Sequence, residues 1–139
     1  MGANVLIVDD STTMRRMIKR TLEISGLDVG EVLEAANGIE ALARMAEHTV
    51  HAVLLDINMP VMSGVRLVER IRDDPRLKNI PVVIASTEGS ETRIQQLVAA
   101  GARGFVRKPF HPEQIRDVLA PILGVSTPAA SASDDEMAF

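Results

Sequence analysis

Five side chains suited to phosphate or a hard cation stand at the ends of short apolar runs. Asp9 and Asp10 follow Val5-Leu6-Ile7-Val8, Asp56 follows Val53-Leu54-Leu55, Ser86 follows Val82-Val83-Ile84-Ala85, and Lys108 follows Phe105-Val106-Arg107. Three carboxylates, a hydroxyl and an ammonium, in a chain without cysteine, suit Mg2+ and phosphoryl transfer rather than zinc or acyl chemistry. Mg2+ takes one or two carboxylates, a carbonyl, waters and phosphate oxygens, and Asp9, Asp10 and Asp56 can supply the carboxylates. A carboxylate can also attack phosphorus to form an acyl phosphate. Charge developing on the equatorial oxygens then needs cations and donors on more than one side, for which Lys108 offers a point charge and Ser86 a hydroxyl. Asp56 stands alone on what should be the central strand while Asp9 and Asp10 form a pair. Attack is therefore assigned to Asp56 and metal binding to the pair.

A single Asp after a strand can simply end it, because Asp disfavours strands and favours turns and caps. That explanation weakens when it must be repeated at four run ends. If the runs are parallel strands of one sheet, all five side chains converge at its carboxyl edge, where open α/β sheets build their sites. No G-x-x-x-x-G-K-[ST], G-x-G-x-x-G or G-x-S-x-G motif is present. His48, His51 and His111 are scattered and read as ordinary surface or loop histidines.

The elements that must position these groups alternate along the chain. After the first run, Met14, Met17, Ile18, Thr21 and Leu22 recur at helical spacing, with Arg15, Arg16, Lys19, Arg20 and Glu23 on the other faces and Gly26 as a stop. The basic face reads as a solvated stripe beside the site that could meet an acidic partner. Glu31 to Ala35 is a short second strand, and Asn37 with Glu40 three residues on starts a helix through Ile39, Leu42, Ala43 and Ala46. Ala52 to Leu55 is the third strand; Pro60 and Gly64 make a loop after Asp56, before a helix carrying Leu67, Val68 and Ile71. Pro75 and Pro81 bracket the way to the fourth strand. Ile94, Leu97 and Val98 then mark a helix closed by Gly101. Beyond the fifth run, Pro112 suits a first helical turn, and Ile115, Val118, Leu119, Ile122 and Leu123 give a clear amphipathic period, weakened near its end by Pro121. Five strands alternating with five helices predict an α/β fold with a doubly wound parallel sheet, whose two-sided burial explains the continuous apolar runs.

A chain of 139 residues suits one domain with a real core. The expectation is a domain over residues 1–124 and a disordered tail over 125–139, where Ser, Thr, Pro and Ala give way to Asp134-Asp135-Glu136 and Met137-Ala138-Phe139. A docking peptide is the sharper alternative for that end. The apolar runs are far short of the ~20 residues that span a bilayer, and Asp9 and Asp10 interrupt any signal-peptide core, so a soluble, cytoplasmic protein without membrane insertion is expected. A formal charge of −4, with three Phe and no Trp or Tyr, argues against a nucleic-acid partner.

Three segments carry a family resemblance: Val8-Asp9-Asp10-Ser11-Thr12-Thr13-Met14-Arg15-Arg16, Asp56-Ile57-Asn58-Met59-Pro60-Val61-Met62-Ser63-Gly64, and Lys108-Pro109-Phe110. Together they resemble the receiver domain of bacterial two-component response regulators, most of all its single-domain chemotaxis members, over roughly residues 3–123. The resemblance implies a flavodoxin-like strand order 2-1-3-4-5. It implies that Asp56 accepts a phosphoryl group from a histidine kinase or phosphotransfer domain. Mg2+, or Mn2+ in its place, would be held by Asp10, Asp56 and the backbone carbonyl of Asn58, with Asp9 acting partly through water. Lys108 would pair with the phosphoryl oxygens, Ser86 would bond to them and draw its loop inward, and Phe105 would be the aromatic switch. Lys108-Pro109 is a candidate cis peptide, and the side chains of Asn58 and Glu88 would tune the lifetime of the phosphorylated state. Phe105 stands where the best-studied chemotaxis members carry Tyr, Ile57 where they often carry Trp, and Ser86 where Thr is common.

Such a domain is a switch rather than a conventional enzyme, catalysing its own phosphorylation from a donor and its own dephosphorylation. With only a short tail after Leu123, the expectation is a monomer with no fused effector. It would signal by docking a protein target, such as a flagellar switch component, on the surface of Gln95, Ala99, Arg103, Phe105 and Arg107. A phosphorelay shuttle is the alternative role. A phosphohydrolase of the haloacid dehalogenase type also uses a strand-end Asp, but has its second acid where this chain has Asn58. A pseudo-receiver serving only as an interaction module would be expected to lose Asp10, Asp56 or Lys108, and all three are present.

Overall fold

A computed structural model of the chain describes residues 2–56, 64–86, 91–108 and 111–123, with the backbone alone at 64, 65, 86 and 91–93. Its elements in chain order are β1 (Ala3–Val8), α1 (Thr12–Glu23), β2 (Val29–Ala35), α2 (Gly38–Glu47), β3 (Ala52–Leu55), α3 (Gly64–Asp73), β4 (Val82–Ser86), α4 (Glu91–Ala100), β5 (Gly104–Arg107) and α5 (Pro112–Leu123). All neighbouring strands pair in parallel, in the order β2-β1-β3-β4-β5. This is the α/β architecture and strand order that the resemblance implies.

Period-two alternation divides each central strand between two cores. Leu6, Val8, Val53, Leu55, Val82 and Ile84 face one cluster, completed by α2, α3 and α4 through Ala41, Met45, Leu67, Ile71 and Leu97. Val5, Ile7, Ala52, Leu54, Val83 and Ala85 face the other, completed by α1 and α5 through Ile18, Leu22, Ile115 and Leu119. Registers such as Leu6 opposite Val53 and Leu54 opposite Val83 keep like faces together. A one-residue slip would exchange the two sets of side chains. Truncating a fully buried Leu54 or Leu67 to Ala would cost about 2–5 kcal/mol.

The helix boundaries follow the local signals. Ser11 caps α1 by accepting from the Met14 N–H at 3.1 Å, and Asn37 caps α2 by accepting from the Glu40 N–H at 2.9 Å. The Glu40 carboxylate reaches back past the cap to accept from the Ala36 N–H at 2.9 Å. Gly101, at φ +130°, ends α4, where the Ala102 N–H returns to the Leu97 carbonyl. The α5 helix runs through Pro121 to Leu123.

Some details differ from the sequence pattern. Met17, Ile39 and Val98 fall at apolar helical spacing, yet each is more than half exposed. They sit at the margin of their helices' buried stripes, where period alone does not separate edge from core. β2 begins at Val29 rather than Glu31. Its first residues are stitched to β1 by Asn4, whose side-chain oxygen accepts from the Glu31 N–H at 2.8 Å, across a register irregularity between Ala3 and Val5. This edge strand shows only partial burial, so its entry carries no continuous apolar run.

Candidate functional site

Parallel pairing continues one step past the strand ends and fixes two of the acids. The Asp9 N–H donates to the Ala35 carbonyl at 3.1 Å, and the Asp56 N–H donates to the Val8 carbonyl at 2.9 Å. Asp9, Asp10 and Asp56 each offer a carboxylate oxygen within 4.8 Å of the others. Asp9 and Asp56 are buried and Asp10 is exposed, so the cluster is closed below and open to solvent on one side.

Lys108 is buried against this cluster with its side chain 5 % exposed. Its Nζ donates to Asp9 Oδ2 at 2.7 Å and lies 3.9 Å from Asp56 Oδ1. Taking an ammonium and carboxylates out of water is costly unless they meet, and the short contact to Asp9 offsets that cost. The other Asp9 oxygen, Oδ1, accepts from the Ser11 N–H at 3.0 Å. Both Asp9 oxygens therefore already have donors, while Asp10 faces water. Among the described residues the cluster holds three carboxylates against one lysine, an excess of negative charge formed wholly of hard oxygen donors. That donor set fits Mg2+.

Ser86 is the last residue of β4 and pairs in register with Arg107, which places it at the same edge as Lys108, the next residue along. Its side chain lies outside the description, as do Asn58, Glu88 and Pro109, and with them the lifetime-tuning positions, the Asn58 carbonyl and the candidate cis peptide. Phe105 sits opposite Ile84 on β5, half-buried against the core beneath α2, α3 and α4. Gln95, Ala99, Arg103 and Arg107 are all exposed around it.

The sequence pattern groups Arg15 with the solvated basic stripe of α1, but Arg15 is turned inward. Its Nη1 donates to the Asp9 main-chain carbonyl at 2.6 Å, its Nε to Glu34 Oε1 at 2.9 Å and its Nη2 to Thr12 Oγ1 at 3.2 Å. The one available signal is the acidic Glu34 near the end of β2, which counts only once β2 is known to lie beside β1. His51 is the exposed loop histidine that its place in the sequence suggests, and its Nδ1 accepts from the Asn4 N–H at 2.8 Å. A cleft of about 540 Å³ lies at the opposite edge of the sheet, floored by Leu42, Met45, Val50, Leu77 and Ile80 and flanked by Arg70 and Arg76. None of Asp9, Asp10, Asp56 and Lys108 lines it, so this cleft and the chemistry do not coincide.

A doubly wound sheet with an acidic cluster and one buried lysine at its carboxyl edge defines a class, and the match to known proteins agrees: the family model for the response regulator receiver domain covers residues 5–120, and the chain belongs to that family of signalling proteins. Among its relatives, chemotaxis protein CheY1 of Helicobacter pylori is 40% identical over 123 residues, covering 88% of this chain and 98% of that one. Chemotaxis protein CheY of Thermotoga maritima is 36% identical over 120 residues, covering 86% and 96%. The crystal structure of chemotaxis protein CheY4 of Vibrio cholerae matches with a TM-score of 0.79 at 38% identity, covering 88% of this chain and 99% of that one. No helix among the described residues is long and apolar enough to cross a membrane.

Proposed function

We propose that the chain is a phosphorylation-operated switch of a two-component system, with Asp56 as phosphoryl acceptor, acting in chemotaxis or motility control. The observation that carries this is Lys108, buried between Asp9 at 2.7 Å and Asp56 at 3.9 Å. A cation so placed faces the acceptor carboxylate and stands ready for a second anion. The relatives' names point to chemotaxis.

The donor is a phosphohistidine on a histidine kinase or phosphotransfer domain. An Asp56 carboxylate oxygen forms the new O–P bond as the P–N bond breaks, and the electron pair leaves on the imidazole nitrogen, which takes up a proton from solvent. Asp10, Asp56 and the Asn58 carbonyl, with Asp9 partly through water, would hold Mg2+, which supplies charge neutralisation for the phosphoryl oxygens. The phosphoryl group adds about −1.5 to −2 charges. Lys108 then shifts its bond from Asp9 to the phosphoryl oxygens, and Ser86 donates from the neighbouring strand end. Movement at the β4 end frees space beside Ile84 for Phe105, which turns inward and changes the face made by α4, β5 and α5. That face, with Gln95, Ala99, Arg103 and Arg107, docks a protein target such as a flagellar switch component. Water attack on the acyl phosphate resets the switch at a rate tuned by Asn58 and Glu88.

Intact-mass measurement after incubation with Mg2+ and acetyl phosphate tests this. The wild type should gain one phosphoryl group, stable to acid and labile to base, and Asp56→Asn should gain none. An unmodified wild type, or equal modification of the variant, overturns the assignment.

A further inference from the structure

We infer that Arg15 is a positioning residue for the acidic site, acting through the peptide that joins Asp9 to Asp10; this rests on the proposed function of that site. Arg15 projects from the first turns of α1 with a side chain only 13% exposed. Its three bonds engage the Asp9 carbonyl at 2.6 Å, Glu34 on β2 at 2.9 Å and Thr12 at the start of α1 at 3.2 Å. The planar guanidinium thus ties together a strand end, a neighbouring strand and a helix start. Glu34 is itself held, since its carbonyl accepts from Arg44 Nε at 3.2 Å.

The Asp9 carbonyl belongs to the peptide plane that also carries the Asp10 nitrogen. Fixing that plane fixes the direction in which Asp10 leaves the chain, and Asp10 is the one acid of the cluster exposed to solvent. Asp9 has its own restraints from Lys108 and the Ser11 N–H, whereas Arg15 supplies the restraint on the link between the two acids. Glu34 at 2.9 Å balances the guanidinium charge, so Arg15 delivers direction rather than net positive potential. Lysine could keep the charge but not three donors in one plane. Groups that orient metal-binding side chains without touching the ion typically change affinity by about 10–100-fold when removed.

The test is Mg2+ titration of the full chain, followed by calorimetry and by melting temperature, on wild type, Arg15→Gln, Arg15→Lys and Glu34→Gln. Both Arg15 variants should need about 10-fold more Mg2+ for half-saturation. Their phosphorylation rate from acetyl phosphate at saturating Mg2+ should stay within about twofold of wild type, a split that a general loss of structure does not give. Glu34→Gln keeps an oxygen for Nε but leaves the guanidinium charge unbalanced, so its Mg2+ midpoint should rise by less than in either Arg15 variant; a larger rise would assign the effect to charge and overturn the inference. An unchanged midpoint in Arg15→Gln overturns the inference, as does full rescue by Arg15→Lys, which would assign the effect to charge. If Arg15→Gln does not fold, Arg15→Lys decides, and a lysine variant that is also unfolded leaves Arg15 purely structural and overturns the inference. A wild type that binds Mg2+ but takes up no phosphoryl group overturns the proposed function alone; one that binds no Mg2+ overturns both.

Discussion

The two edges of the sheet solve opposite problems with similar residues. At the amino edge Asn4 donates its N–H to His51 Nδ1 and its side-chain NH₂ to the Thr49 carbonyl, while its side-chain oxygen accepts from the Glu31 N–H. Donors and acceptors there are matched, and these bonds involve no ion pair. At the carboxyl edge three carboxylates crowd one ammonium in a partly buried setting. The first arrangement is complete in itself. The second carries an excess of negative charge that the proposed function would fill with a cation and a phosphoryl group. Structural polar networks close on themselves, whereas a site that takes up a cation and a phosphoryl group keeps an excess of one charge.

If the comparison holds, breaking the carboxyl edge at the lysine that pairs with its acids should have the largest effect. Lys108→Met leaves Asp9 buried without its ammonium and should lower metal-free stability by about 3 kcal/mol, measured by urea unfolding. Millimolar Mg2+ should recover part of that loss. A variant as stable as wild type would show that the pair with Asp9 is not what holds the edge together. At the amino edge, Asn4→Ala removes the two side-chain hydrogen bonds, to the Thr49 carbonyl and from the Glu31 N–H, at a partly exposed position where water can replace them. About 1 kcal/mol should be lost, with the Mg2+ midpoint and phosphorylation by acetyl phosphate unchanged; altered phosphorylation would mean the edges are coupled. The smallest shift belongs to Asp10→Asn. Relieving the repulsion should raise the metal-free melting temperature by about 2 °C while removing most of the rise that Mg2+ gives the wild type. A fall in the metal-free melting temperature would contradict an excess of negative charge at this edge.

Much of both edges is legible in the chain before any coordinates. Val5–Val8, Val53–Leu55 and Val82–Ala85 read as strands because helices cover both faces and no polar residue interrupts them. Asp9, Asp10, Asp56 and Lys108 stand out because charge directly follows such a run. Their convergence depends on strand order, which came from the family resemblance and not from spacing. Arg15 was missed for a physical reason: its neighbours Arg16, Lys19 and Arg20 are also basic, and only the lateral pairing of β1 with β2 brings Glu34 to it. Asn4 was equally silent, since its partners at Glu31, Thr49 and His51 come from two other segments. Met17 and Val98 erred in the other direction, apolar in type but exposed in place.

The bond between Lys108 and Asp9 closes a span of 99 residues, from the end of the first strand to the end of the last. In the order β2-β1-β3-β4-β5, β3 and β4 separate β1 from β5, so the cation stands beside the acids only while those two strands hold β5 in place. A chain with β5 detached still presents the acids but without their lysine. Under the proposed function, the one contact that places the lysine at the acceptor also makes phosphoryl acceptance depend on an intact β5.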